Sequence, residues 1–122
     1  MKTTFVVNYT PHAVRLLRPD GTLHQIFESL GIARADETNE PLPPMEWDPF
    51  GDCGMHDHLP LVARTFGVVS GLPEPKDGIA YIVSQIIADL CPGRSDLLVP
   101  ALVVRGPDGQ VIGCKAFASR RP

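Results

Sequence analysis

The sequence predicts a single β-rich domain of the α+β class over residues 1–122, with a small α/β arrangement as the alternative. Three observations predict this class. The chain contains 13 prolines and 11 glycines, which favour many turns over long helices. Two Pro-Asp-Gly turns each lie between apolar, β-branched segments, as in a β-hairpin. Only the segment around residue 84 changes from strand spacing to helical spacing, so we expect one short helix.

The amino-terminal part of the chain predicts two strands and a hairpin. TTFVVN is apolar and β-branched and predicts the first strand, and AVRLL, which follows Pro11, predicts the second. In the RPDG segment, Pro19 presets the backbone of a type I turn and Gly21 accepts the left-handed conformation after it. AVRLLRPDGTLHQIF is therefore the first predicted hairpin. FESLGIA, residues 27–33, is a candidate for a second short helix.

The middle of the chain predicts a long, proline-rich surface loop. Residues 40–60 are polar, rich in proline and without a clear period. Loops of this length usually serve a function, and Trp47 and Phe50 are candidate anchors for a partner or for self-association. The alternative is that both aromatic side chains pack against their own domain.

The carboxy-terminal part predicts strands on both sides of the helix. LVARTFGVVSGLPEP has a strand-like composition, and Ile79, Tyr81 and Val83 alternate as in a strand. Ser84 is the predicted N-cap of the helix, and Pro92 with Gly93 ends it. ALVVRGPDGQVIGCKAF is the second predicted hairpin. The apolar residues with helical spacing are Ile82, Val83, Ile86, Ile87 and Leu90.

Composition argues against several classes of function. The net charge of −3 and the pI of about 5.7 disfavour binding to duplex nucleic acid, whose affinity comes mainly from neutralised phosphates. No apolar stretch is long enough to span a bilayer, and the apolar segment of MKTTFVVNYT is too short for a signal peptide. Three cysteines at irregular spacing suit reduced thiols. We therefore expect a soluble, cytoplasmic protein that does not associate with a membrane.

The segment NYTPHAV places several polar side chains around one proline. Pro11 disfavours the helical region for Thr10 and removes a ladder donor, so the first strand ends here. On a functional interpretation, His12 acts as a general acid or base or binds a phosphate, and Asn8 and Thr10 orient it or the ligand. On a structural interpretation, Asn8 and Thr10 form local bonds to the backbone at the break in the strand, and His12 is a structural histidine with its hydrogen bonds satisfied.

Two further polar clusters are candidates for binding. DCGMHDH offers Cys53, His56 and His58 as ligands for zinc, but a structural zinc site usually needs a second well-spaced pair. We therefore predict no cofactor and keep zinc as the alternative to a solvated polar loop. In PGRSD, Arg94 is suited to bidentate recognition of an anion and Asp96 lies beside it, although such a run is more often a helix stop and a polar turn.

The motifs NYTPH, YIVS and GRSDLLVP together resemble an uncharacterised family of small proteins from bacteriophages and actinobacteria, which open with Asn-Leu-Thr-Pro-His. The resemblance covers about two-thirds of the chain at its two ends. It departs at Tyr9, where leucine is usual, and over Pro41 to Pro60, which has no counterpart. It implies a phage-related origin. Seven positions match the recurring polar residues of that family, and we expect them to converge on one pocket. They are Asn8, Thr10, His12, Tyr81, Ser84, Arg94 and Asp96.

Three functional hypotheses follow. The first is a homo-oligomeric protein that binds an anionic small molecule, such as a nucleotide signal of host defence, and sequesters it. The second is a phosphodiesterase or nuclease acting on such a nucleotide, with His12 as its acid or base. The third is a protein–protein interaction module without a ligand. The sequence contains no Walker loop, no G-x-S-x-G elbow and no G-x-G-x-x-G, so the common nucleotide and hydrolase sites have no support.

Overall fold

The computed structural model describes residues 4–48 and 57–119. They belong to two compact units, one formed by Met1–Ala35 with Val69–Pro122 and the other by Asp36–Val68. The predictions of a mostly β fold, two hairpins and one short helix after residue 84 are confirmed. The elements are β1 (Phe5–Asn8), β2 (Val14–Leu17), β3 (Leu23–Phe27), β4 (Arg34–Trp47), β5 (Asp57–Ser70), β6 (Ile79–Ile82), α1 (Gln85–Leu90), β7 (Leu97–Arg105) and β8 (Val111–Ser119).

The first unit contains a six-stranded mixed sheet in the order β1-β6-β7-β8-β2-β3. β1, β6 and β7 run parallel, while β2–β3 and β7–β8 are antiparallel hairpins. The two edge strands approach each other, because Asn8 forms a parallel bridge with Ser29, just after β3. The N–H of Leu30 also donates to the carbonyl of Asn8 at 2.9 Å. The sheet therefore curls until its two edges meet.

The hairpin turns form as predicted from their Pro-Asp-Gly sequences. Gly21 has a φ of 90°, a left-handed conformation that glycine adopts without strain, and its N–H donates to the carbonyl of Arg18 at 2.8 Å. The hydroxyl and the N–H of Thr22 both donate to Asp20 and lower the pKa of that carboxyl. The equivalent Gly109 has a φ of 82°.

The core of the first unit forms where α1 packs against β7, beside β6. Ser84 is the N-cap, and its Oγ accepts a hydrogen bond from the N–H of Ile87 at 3.4 Å. Successive residues of a strand point to opposite faces, yet both Tyr81 and Ile82 are buried, so β6 is covered on both sides. The described helix has six residues, too few to cross a membrane. The buried cluster on the helix side contains Tyr81, Val83, Ile87, Ala88 and Leu97.

The second unit is a two-stranded β-ribbon, where the sequence predicted a loop. Residues 40–47 lie in β4 and residues 57–60 lie in β5. The strands run antiparallel, because Asp36 lies beside Gly67 and Asn39 bonds to Arg64. Prolines occur within β4, which is tolerated because β4 pairs with β5 alone in this sheet and is therefore an edge strand. Phe50 lies outside the described residues.

The predicted second helix over residues 27–33 is wrong. Phe27 ends β3, and the backbone N–H groups of Leu30 and Ala33 donate to carbonyls at the end of β1 and just after it, not to carbonyls one helical turn earlier. The N–H of Ala33, for example, donates to the carbonyl of Tyr9 at 2.9 Å. This segment is therefore extended and helps to join the two edges of the sheet.

Candidate functional site

The polar groups of the NYTPH segment form an internal hydrogen-bond network. Asn8 is 1% exposed. Its Nδ2 donates to the carbonyl oxygens of His12 at 2.7 Å and Phe27 at 2.8 Å. Its Oδ1 accepts hydrogen bonds from the N–H of Thr10 at 2.9 Å and from the Thr10 hydroxyl at 2.7 Å. Both donors and both acceptor positions of the amide are thus used within the protein.

The network explains why these residue types stand at the end of β1. Pro11 ends the strand, so the backbone groups of the turn need partners other than the sheet ladder. Asn8 supplies them and also joins the turn to the end of β3. Ser29 adds a further bond, from its Oγ to the carbonyl of Thr10 at 2.7 Å. The structural interpretation of Asn8 and Thr10 is therefore the one that the geometry favours.

The other matched residues of this region have different surroundings. The side chain of His12 is exposed, and its carbonyl oxygen takes part in the network. Tyr81 is 3% exposed, and its ring packs edge-to-face against Tyr9 with the centroids 5.4 Å apart. Ser84 caps α1 through its hydroxyl. Tyr81 therefore contributes to the core, and Ser84 to the start of the helix.

Arg94 and Asp96 form a bidentate pair. The Nε and Nη2 of Arg94 donate to the two carboxylate oxygens of Asp96, each at 2.8 Å, and Nη2 also donates to the carbonyl of Pro73 at 2.9 Å. The two side chains are 20% and 12% exposed. The hydrogen bonds to Asp96 raise the pKa of Arg94 above its ordinary value. The guanidinium therefore already binds a carboxylate of its own chain.

The pair and the NYTPH network lie at opposite ends of the parallel strands. Arg94 and Asp96 line a depression together with Thr4 and Gly78, which precede β1 and β6. Asn8 instead lies at the carboxyl end of β1, beside Ile82 at the end of β6. Strands of this length separate their two ends by roughly 13 Å. The seven residues expected in one pocket are therefore divided between these two places and the core.

Replacing Arg94 with lysine should lower the free energy of unfolding by about 1–2 kcal/mol, because an ammonium cannot make two parallel bonds to a carboxylate. Arg18→Lys is the matched control: Arg18 is exposed and donates to the carbonyl of Leu23. We expect that control to change stability by less than about 0.5 kcal/mol. Chemical denaturation measures both, and equal losses in the two variants would contradict a structural role for the pair.

The metal hypothesis falls mostly outside the described residues. Cys53 and His56 lie in the segment that the structure does not describe, and His58 is an exposed residue of β5. Among residues 4–48 and 57–119, no group of three or more histidine, cysteine or acidic side chains is placed to hold a metal ion. Zinc binding by residues 52–58 therefore stays a prediction.

An apolar groove lies where β2 adjoins the β7–β8 hairpin. Its volume is about 420 Å³. Val103, Val111 and Ile112 are 46%, 57% and 50% exposed. Burial raises the pKa of the Cys114 thiol, so this cysteine is a neutral, apolar group. We call this surface the groove; its lining residues are Ala13, Val14, Arg15, Pro100, Val103, Val111, Ile112, Gly113 and Cys114.

Irregular backbone brings extra apolar side chains to the region of the groove. Leu102 has a φ of 51°, a left-handed conformation that costs a residue other than glycine roughly 1–2 kcal/mol. Leu102 is 70% exposed, and its neighbour Val103 is exposed as well, so the usual alternation is interrupted. The register of β7 and β8 also shifts between Val104 and Arg105, as in a β-bulge. Such irregularities commonly accompany functional surfaces.

The second unit presents a different surface, which we call the ribbon (Asp36–Val68). Every described side chain of β4 from Asp36 onward is exposed. In sequence, residues 36–68 carry seven carboxylates and one arginine, a formal charge of −6. The Nε of that arginine, Arg64, lies 3.5 Å from Oε1 of Glu37. The large apolar side chains exposed on the described part of the ribbon are Leu42 (44%), Met45 (49%), Trp47 (42%), Val62 (51%) and Val68 (72%).

The chain was compared with protein-family models, with curated proteins and with solved structures, and nothing matched. The resemblance to the phage and actinobacterial family therefore stays a prediction. The groove was not among the predicted sites, whereas Trp47 was a predicted anchor but was placed in a loop and not in a strand of the ribbon. Two signals in the sequence point to them: the adjacent apolar pair Val111–Ile112 directly after a turn, and the concentration of acidic residues in positions 36–68.

Proposed function

We propose that this protein is a protein–protein interaction module that binds through the ribbon and has no chemistry of its own. The observation that carries this proposal is the exposure of the ribbon. Five large apolar side chains on its described residues are more than 40% exposed. A two-stranded sheet alone in water is marginally stable at best, so a partner surface that covers these side chains would stabilise it.

The chemistry of the ribbon defines the kind of partner. Trp47 and Met45 are two residues apart on one strand and therefore share a face. Aromatic side chains are frequent anchors in interfaces, and they work by filling an apolar pocket. The charge of −6 favours a partner with arginine or lysine around that pocket. The proposed partner surface is therefore apolar at its centre and basic at its rim.

The alternatives from the sequence have less support from the geometry. A nucleotide site needs donors that are free to bind phosphate, whereas Asn8 and Arg94 donate to groups of their own chain. A phosphodiesterase needs a positioned base. The imidazole of His12 is exposed, and the contact that fixes this residue is made by its carbonyl oxygen. Both activities stay predictions from the sequence.

The proposal is tested by replacing Trp47 with alanine and measuring stability and fluorescence. We expect the substitution to change the free energy of unfolding by less than about 0.5 kcal/mol, as is usual for an exposed residue outside the core. Trp47 is the one tryptophan of the chain, so its emission in dilute wild-type protein should be that of a solvated indole, readily quenched by acrylamide.

Ile87→Ala is the control for this experiment. Ile87 is 3% exposed in the core, and its truncation should cost about 2–4 kcal/mol. If Trp47→Ala cost as much as Ile87→Ala, and if the indole of dilute wild-type protein resisted quenching, Trp47 would pack against its own chain. The proposed function would then be wrong.

A further inference from the structure

We propose that the ribbon of one copy of this protein binds in the groove of a second copy. This inference rests on the proposed function and names the partner of the ribbon. The ribbon and the groove belong to different units and are different surfaces, so the contact is heterologous, head to tail. Repetition of such a contact generates a closed ring or an open filament.

Charge is the first argument for a second copy as the partner. The ribbon has a formal charge of −6, whereas the rest of the chain carries ten basic and seven acidic residues and a charge of +3. Three of the ten basic residues, Lys2, Arg120 and Arg121, lie outside the described residues. Contact between two ribbons places like charges together, whereas Arg15 in the groove of a second copy has the opposite charge to the ribbon.

The lining of the groove matches the surface of the ribbon. Its centre is apolar, with Val103, Val111 and Ile112 about half exposed. Arg15 lines it, and Arg105 pairs with Val111 across the hairpin, outside the lining, with its guanidinium donating to the carbonyl of Gly109 at 2.9 Å. None of the lining residues is acidic. This is the combination of an apolar centre and basic rim that Trp47 and the neighbouring carboxylates require.

The prolines of β4 determine how the ribbon can bind. Pro41, Pro43 and Pro44 have no N–H, so this part of β4 is a poor template for the addition of another strand. Binding through backbone pairing at this edge is therefore disfavoured. We therefore expect the ribbon to bind through its exposed side chains. A groove that accommodates apolar side chains is a complementary surface for such binding.

The experiment uses two full-length variants, each with one intact surface. Val111→Glu puts a carboxylate into the groove and leaves the ribbon unchanged. Trp47→Ala removes the anchor from the ribbon and leaves the groove unchanged. Sedimentation velocity at high protein concentration should show assembly of the wild type and monomers for each variant alone. An equimolar mixture should form a one-to-one dimer, because one intact ribbon meets one intact groove.

Fluorescence identifies the contact in the same mixture. Only the Val111→Glu copy carries a tryptophan, so protection of its indole from acrylamide on addition of the Trp47→Ala copy would place that ribbon in the other copy.

Val111→Lys is the matched control. It inserts a charge of the opposite sign at the same position and should assemble at least as well as the wild type. The association constant of the wild type should fall about tenfold between 0.1 M and 1 M salt, because salt screens the charges.

Three outcomes would overturn the inference. Assembly of Val111→Glu alone would mean that ribbons bind each other. Equal loss of assembly in Val111→Glu and Val111→Lys would mean that charge complementarity is not involved. Wild-type protein that stays monomeric at every concentration, with Trp47 solvated, would mean that the partner is a different protein, and the proposed function would stand without this inference.

Discussion

Asn8→Asp is expected to lower the free energy of unfolding by about 3–5 kcal/mol at neutral pH. The two side chains have nearly the same shape, so packing is preserved. Aspartate cannot donate, however, and the substitution would place a carboxylate against the carbonyl oxygens of His12 and Phe27, which lie 2.7 Å and 2.8 Å from Nδ2. Two partly buried carbonyl oxygens would lose the amide donor and face a negative charge.

The pH dependence of this variant gives a second test. Burial next to two carbonyl oxygens raises the pKa of the introduced carboxyl in the folded state above its value of about 3.9 in the unfolded chain. The folded variant then binds more protons than the unfolded one, so its stability rises as the pH falls through the raised pKa. The difference in free energy of unfolding between the variant and the wild type should therefore become smaller toward acidic pH and stay constant above the raised pKa.

Asn39→Asp is the control for the same chemical change. Asn39 is exposed on the ribbon, where its Oδ1 accepts a hydrogen bond from Nε of Arg64 at 3.1 Å and its Nδ2 donates to the Glu37 carboxylate at 3.2 Å. Aspartate keeps the first bond and loses the second, but both groups are exposed to solvent, so we expect a change of less than about 0.5 kcal/mol. Equilibrium denaturation of both variants over a range of pH measures the effects. Similar losses in the two variants would show that the Asn8 network does not stabilise the end of β1.

The local elements of the first unit are predictable because short segments specify them. Asp20 and Gly21 favour the turn whatever the rest of the chain does, and the second Pro-Asp-Gly turn behaves in the same way. Ser84 precedes a run with helical spacing and caps α1. The pairing of β1 with β6, across about seventy residues of chain, leaves no comparable local signal, because it depends on packing of both faces of β6.

The predicted loop over residues 40–60 is wrong where β4 and β5 lie, and the functional interpretation of NYTPH depends on a similar assumption. Prolines and polar residues predict a loop when a strand is assumed to lie inside a sheet, but edge strands tolerate both. Polar side chains predict a ligand when they are assumed to face solvent, but a buried amide must find its partners within the protein. Asn8 became buried because the two edges of the sheet meet beside it, and this closure is a property of the whole fold.

Gly71→Ala should lower the free energy of unfolding by about 3–5 kcal/mol, the largest effect that we expect from adding a single methyl group to this chain. Gly71 has a φ of 81°, which strains any residue with a Cβ. A Cβ at this position would also collide with the carbonyl oxygen of Ile32, a backbone atom that cannot rotate away as a side chain can. Ala33, next to Ile32, packs against the core, so relief of the collision would disturb that packing.

Gly21→Ala separates the two causes. Gly21 has a similar φ of 90°, but a Cβ there would have no atom within 4 Å. Both substitutions restrict the unfolded chain equally, so the control should lose only the cost of the left-handed conformation, about 1–2 kcal/mol. The additional loss at Gly71 measures the collision with Ile32. Thermal or chemical denaturation of the two variants measures both losses. Equal losses in free energy of unfolding would mean that the chain between β5 and β6 shifts to accommodate the added Cβ. The close approach of Gly71 to Ile32 would then not stabilise the first unit.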